Sequence, residues 1–104
     1  MTNQLVDHIR DALRAVIDPE LGHNIIDLGF VYDISVHDGA VRITMTATTP
    51  GCPAIRFLKE GVANATARMP GVRSVDIVIT FDPPWAPSRI APIVRASLGF
   101  AAVN

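Results

Sequence analysis

The chain has 104 residues, 49% of them hydrophobic and 18% charged, which is enough apolar sequence for one domain with a buried core and excludes a disordered chain. Nine basic against ten acidic side chains give a net charge of -1, which argues against non-specific nucleic-acid binding. The single cysteine excludes an internal disulfide and a zinc site built on paired cysteines of one chain, and no apolar run approaches the ~20 residues of a membrane span.

The first predicted element is an amphipathic helix over residues 4–17. Its apolar side chains recur every three or four positions, and one stripe holds Leu5, Ile9, Leu13 and Val16. We expect Pro19 to end this helix, because a residue that precedes proline is pushed out of the helical conformation.

A β-hairpin is predicted next. Residues 30–36 and 41–48 have strand patterns, and Asp38-Gly39 between them is a strong hairpin turn signal. The second strand alternates, so we expect Val41, Ile43, Met45 and Ala47 to face the core. Its wetter face should carry Arg42, Thr44, Thr46 and Thr48.

A second helix is predicted over residues 53–68, a third strand over 72–81 and a last helix over 92–98. The order is α-β-β-α-β-α. We therefore predict an α/β (α+β) fold with a single small domain over 1–104, built on a three-stranded mixed sheet with helices packed on one face. The order of the strands in the sheet is not fixed by these patterns.

Cys52 is the first candidate for chemistry. It comes just before Pro53, the predicted first residue of the second helix, and so occupies about the N-cap position. Unpaired backbone N–H groups and the helix dipole favour negative charge there and promote the thiolate, which binds soft metals or attacks electrophiles. The alternative is that Cys52 is a small hydrophobic residue of the core.

The second candidate is the carboxylate pair Asp18 and Glu20, on either side of Pro19, with Asp27 further along the same region. Carboxylates in a rigid loop can bind a cation or act as a base. Aspartate before proline is also a common turn former, so a purely structural role stays open.

Five further side chains complete the candidate set. His23 is a loop histidine that could join Cys52 in space, and Thr49, with Thr46 and Thr48, could line a pocket beside the cysteine. Each of these also has a plain structural explanation. Trp85 lies among prolines, and we expect it to pack on the core rather than to serve as an exposed anchor.

Together these segments resemble the metal-sulfur cluster assembly factors, the family that includes the SufT and PaaD branches. Asp18-Pro19-Glu20 and the run from Asn24 to Tyr32 resemble its N-terminal signature, and Pro50-Gly51-Cys52-Pro53 resembles its cysteine motif. The later landmarks are Pro70-Gly71-Val72, Pro83-Pro84-Trp85-Ala86-Pro87 and Leu98-Gly99. Because the PaaD branch carries further cysteines and this sequence has none beyond Cys52, the general SufT-like branch is expected.

The resemblance implies an accessory role in iron-sulfur cluster assembly or delivery, with Cys52 as a transient ligand of iron or of a cluster. It implies the loop with Asp18 and Glu20 as a second shared element, and we expect these carboxylates as further metal ligands. The partners would be iron-sulfur carrier or client proteins, with no nucleic acid and no membrane. From the composition we expect a cytoplasmic protein. One thiolate is too few for a typical cluster, so a homodimer is expected, which can purify without its cargo.

Two other functions remain open. The protein could be a non-catalytic scaffold for the maturation of a multicomponent oxygenase, as in the PaaD branch, with no metal bound. It could also be a thiol enzyme with Cys52 as nucleophile, although no base is placed beside that cysteine by the sequence.

Overall fold

Two helices cover one face of a three-stranded sheet in the computed structural model, which describes residues 2–51 and 53–97. The order of elements is the predicted one, with a short 3-10 turn inserted before the last helix. The elements are α1 Thr2–Leu13, β1 Val31–His37, β2 Ala40–Met45, α2 Ala54–Ala67, β3 Ser74–Ile79, a 3-10 turn Pro87–Arg89 and α3 Pro92–Ser97.

The sheet has the order β1-β2-β3, so β2 lies at its centre. β1 and β2 pair antiparallel, as the Asp38-Gly39 turn predicts, whereas β2 and β3 pair in parallel across the connection that contains α2. Ile34, Ile43 and Ile77 stand in one row across the three strands. The predicted mixed sheet is therefore confirmed, and its strand order is now fixed.

The core lies between the sheet and the two longer helices. α1 contacts α2 and β1, and α2 contacts β3, so both helices lie on the same face of the sheet. The central strand contributes the alternating set that the sequence predicts, Val41, Ile43, Met45 and the following Ala47, all buried. The helices contribute the predicted stripes, buried at Ile9, Leu13, Leu58 and Val62.

The first helix is shorter than predicted. It ends at Leu13 rather than near residue 17, and the chain then turns through residues 14 and 15. Val16 remains buried, but its carbonyl accepts the amide of Ile25, and Ile17 forms an isolated bridge with Asn24. These pairings with a distant segment replace the helical hydrogen bonds, so the helix ends before Pro19 can stop it.

The second strand also ends early, at Met45, and Thr46 lies in the core rather than on the wetter face. The Thr46 amide donates to the carbonyl of Phe30, and its hydroxyl donates to the carbonyl of Ala47 at 3.3 Å. Local hydrogen bonding of this kind lets a threonine lie in the core without an unpaired hydroxyl.

Within the described ranges, no helix has the length and apolar character needed to cross a bilayer.

Candidate functional site

The Asp18 loop is a tight turn organised by its own aspartate. The Asp18 side chain is only 1% exposed, and Oδ2 accepts the amides of Glu20 at 3.2 Å and Leu21 at 2.8 Å. The Asp18 carbonyl accepts the amide of Gly22, and the Asp18 amide donates to the carbonyl of His23. This carboxylate therefore holds the turn that presents Glu20, which is the structural role left open above.

The other members of that loop differ in exposure. The Glu20 side chain is exposed, and His23 is partly buried.

The cysteine loop leads directly into α2. Thr49, Pro50 and Gly51 are exposed, Thr48 is partly buried, and Cys52 itself lies outside the described residues. The cap of α2 is Pro53, with φ -67° and ψ -16°, one position later than predicted, so Cys52 precedes the cap in the sequence. Pro53 supplies no side-chain hydrogen bond, and the first turn contains no acidic residue. The unpaired amides of this turn favour an anion nearby.

The chain passes the middle of α2 just before it enters the Asp18 loop. A Cβ on Gly61 would lie 3.1 Å from Cγ1 of Val16, so the chain leaves α1 alongside the middle of α2. Gly61 follows Ala54 by about two helical turns, or ~10 Å along the axis. Val16, two residues before Asp18, therefore lies beside the middle of α2, about two turns from the helix start that Cys52 precedes. Among residues 2–51 and 53–97, no three His, Asp or Glu side chains are grouped closely enough to hold a metal ion.

Asp27 has partners that the sequence did not reveal. Its Oδ1 accepts a 2.7 Å hydrogen bond from Nη1 of Arg14, and its Oδ2 accepts from Nδ2 of Asn24 at 3.0 Å. The Asp27 amide donates back to Oδ1 of Asn24, and its carbonyl accepts the amide of Ala91 at 2.7 Å. The spacing Asn24-x-x-Asp27 was the available signal, since such side chains close turns on backbone amides three positions away.

The segment 82–91, which we call the strap, crosses the end of the sheet. The Trp85 indole donates from Nε1 to the carbonyl of Leu28 at 2.7 Å, and its ring meets Phe30 edge-on with centroids 5.4 Å apart. The Tyr32 hydroxyl donates to the carbonyl of Pro83 at 2.9 Å. The expectation that Trp85 packs on the core is confirmed, and the N-terminal signature is joined to the proline-rich landmark.

Gly29 allows this contact. Its φ of +75° is a conformation that favours glycine, and a Cβ there would collide with the carbonyl oxygen of Arg89. The strap can therefore approach the Leu28-Gly29 turn only because that position has no side chain. Gly29 lies in the motif run from Asn24 to Tyr32, but no local pattern indicated its contact with the distant Arg89.

Known proteins are similar to this protein over most of its chain. Residues 6–77 match the family described as iron-sulfur cluster assembly protein. The chain is 38% identical to the Fe-S protein maturation auxiliary factor YitW of Bacillus subtilis, over 95% of this chain and 98% of that protein. It is 35% identical to the Fe-S protein maturation auxiliary factor SufT of Staphylococcus aureus, over 81% and 97%.

The fold agrees with a solved relative. A domain of unknown function, DUF59, from Bacillus anthracis superposes with a TM-score of 0.89 at 32% identity, covering 94% of both chains. The resemblance to SufT-like factors that the motifs indicated is confirmed by these matches. On this evidence the chain is a member of the iron-sulfur cluster assembly protein family.

Proposed function

We propose that this protein is a non-catalytic accessory factor in iron-sulfur cluster assembly or delivery, and that the Cys52 thiolate holds iron or a cluster transiently or docks against a carrier's metal site. The observation that carries the proposal is the match to a maturation auxiliary factor over nearly the full length of both chains. A match of that extent covers the fold, the Asp18 loop and the cysteine loop together.

The start of α2 supports a reactive cysteine. Its first turn offers amides without a side-chain cap, contains no carboxylate, and includes the exposed cation Arg56. Uncapped amides and a cation at a helix N-terminus favour a thiolate over a thiol, and no carboxylate of this turn opposes it. A thiolate is the form that binds iron.

The Asp18 loop supports a second contribution. It follows Val16, which packs against Gly61 of α2, and its buried aspartate accepts amides of the turn that carries the exposed Glu20. In this proposal Glu20 is the more accessible of the two carboxylates as a further ligand, with Asp18, His23 and Thr49 as supporting residues. Two Cys52 thiolates from a cytoplasmic homodimer, completed by ligands of a carrier or client protein, would give incomplete ligation that suits release of the cargo.

The test is anaerobic reconstitution with iron and sulfide, followed by visible absorption, iron content and transfer to an apo acceptor. Wild type is compared with Cys52→Ser, and Glu60→Gln, an exposed change on the same helix, is the matched control. We expect absorption and transfer in wild type and Glu60→Gln, and loss of both in Cys52→Ser.

Equal cluster content in wild type and Cys52→Ser would contradict the role of the cysteine. If neither protein takes up a cluster and both rescue client maturation in cells, the scaffold function replaces the carrier function. Size-exclusion chromatography with light scattering checks the dimer, and a monomer in the loaded state would remove the two-thiolate arrangement.

A further inference from the structure

A concave surface lies at the end of the sheet where β1 meets the strap. Its volume is about 440 Å³, and it is lined by Gly29, Val31, Tyr32, Pro83 and Arg89. That volume falls within the range of small-molecule sites. None of its lining residues belongs to the Asp18 loop or to the cysteine loop, so this surface is separate from the site considered above.

Arg89 supplies the only charge in this lining. Its guanidinium carbon stands 4.6 Å from the centroid of the Tyr32 ring, and that ring is itself fixed by the hydrogen bond from its hydroxyl to Pro83. The Arg89 backbone lies against Gly29. This contact positions the backbone, and stacking on Tyr32 orients the exposed guanidinium, which reduces the entropy lost when a ligand binds.

Arg89 forms no ion pair in the part of the chain that the structure describes. Arg14 and Arg42, by contrast, each pair with an aspartate, at 2.7 and 3.2 Å. Asp33 and Asp82, the acidic residues next in sequence to the lining, do not lie within ion-pairing distance of the Arg89 guanidinium. A guanidinium stacked on an aromatic ring keeps its edge N–H groups available for the two oxygens of a carboxylate.

We propose that this surface, the Arg89 pocket, binds a carboxylate carried on a short apolar stem. The Arg89 guanidinium donates a hydrogen bond to each of the two carboxylate oxygens, and the side chains of Val31 and Pro83 contact the apolar stem. The whole protein carries a net charge of -1, so a carboxylate gains little from long-range attraction and depends on this local pairing. The carboxylate can belong to a small free acid or to a glutamate side chain of a partner protein.

The probe is hexanoate, titrated into ¹⁵N-labelled protein without iron, with hexanamide as the uncharged match. We expect hexanoate to shift the amide resonances of Gly29 and Val31 with a dissociation constant on the order of 1 mM, and hexanamide to bind at least tenfold more weakly. Arg89→Gln should weaken hexanoate binding about tenfold, whereas Arg42→Gln should leave it unchanged. The Trp85 indole resonance reports whether each variant keeps the strap in place.

Equal binding of the acid and its amide by wild type would overturn the proposal, and so would an equal loss in Arg42→Gln and Arg89→Gln. A peptide with one interior glutamate, compared with its glutamine version, then separates the two sources. Binding of the glutamate peptide assigns the pocket to a partner side chain, and binding of hexanoate alone assigns it to a free acid. Because no cluster is present, these outcomes are independent of the Cys52 test.

Discussion

The indole Nε1 of Trp85 lies 2.7 Å from the carbonyl oxygen of Leu28 and donates a hydrogen bond to it, although 57 positions separate the two residues. This hydrogen bond joins the strap to the segment that precedes β1. Around it are the edge-on contact with Phe30 and the fit of Arg89 against Gly29. The two segments form one unit, and a change on either side of this contact should affect both.

Replacing Trp85 with phenylalanine should lower the free energy of unfolding by about 1 to 2 kcal/mol, because the Leu28 carbonyl loses its donor while an aromatic ring is retained. Tyr32→Phe removes a hydrogen bond of similar length to the same strap at an exposed position, where water can replace it. That control should cost less than about 0.5 kcal/mol. Urea unfolding followed by circular dichroism measures the free energy of unfolding of both variants. Equal losses would contradict the larger contribution expected of the Trp85 hydrogen bond.

Gly29→Ala should be far more damaging than Gly22→Ala. Both glycines have positive φ, +75° and +73°, so both changes carry the same backbone strain, about 1 to 2 kcal/mol. A Cβ at Gly22 meets nothing within 4 Å, whereas a Cβ at Gly29 collides with the backbone of Arg89. We expect about 3 to 4 kcal/mol for Gly29→Ala once the strap is displaced. Thermal unfolding of the two variants measures the cost of the collision with Arg89 as the difference between their melting temperatures. Equal melting temperatures would show that the strap moves away from a Cβ at position 29 without loss of stability.

Asp18→Ala should destabilise the fold by about 1 to 3 kcal/mol, since two amides of the turn lose their acceptor. Asp18→Asn keeps an oxygen for those amides and removes the charge, so it should cost clearly less. Comparison of the two variants distinguishes the role of Asp18 in the turn from a role in metal binding. An Asp18→Asn protein that is folded but takes up less iron would assign the carboxylate a ligand role, and full uptake would leave it a purely structural residue.

The contact between Arg14 and Asp27 should contribute little, because the Arg14 side chain is 46% exposed. We expect Arg14→Gln to cost less than about 1 kcal/mol, and less still at high salt. Asn24→Ala should cost about 1 to 2 kcal/mol, because the Asp27 amide loses the side-chain oxygen that closes its turn. Chemical unfolding at low and high salt compares them, and a larger loss for Arg14→Gln would reverse this ranking.

Much of the fold was predictable because its signals are local. The stripe of Ile9 and Leu13, the alternation through Val41 and Ile43, and the Asp38-Gly39 turn all depend on neighbours within a few positions. The end of α1 was not predictable in this way. It is set by the pairing of Ile17 with Asn24, which competes with helical hydrogen bonds and cannot be read from the residues of the helix.

The candidate site was likewise predictable only where its signals are local. Cys52, Asp18 and Glu20 were selected from residue type, spacing and family motifs, and family membership is confirmed while their individual roles stay predictions. The turn-forming role of Asp18 required the burial and hydrogen bonds of the folded chain. Arg89 carried no signal, because its contacts are with an aromatic ring and a glycine more than fifty positions away.

Sequence alone therefore determined the element order, the apolar faces and the family, since these follow from periodicity, turn residues and short motifs. Tertiary structure decided the strand order β1-β2-β3, the parallel pairing of β2 with β3, and the closure of the strap over Gly29. Such long-range pairings depend on how whole surfaces fit together, and local propensity carries no information about that fit.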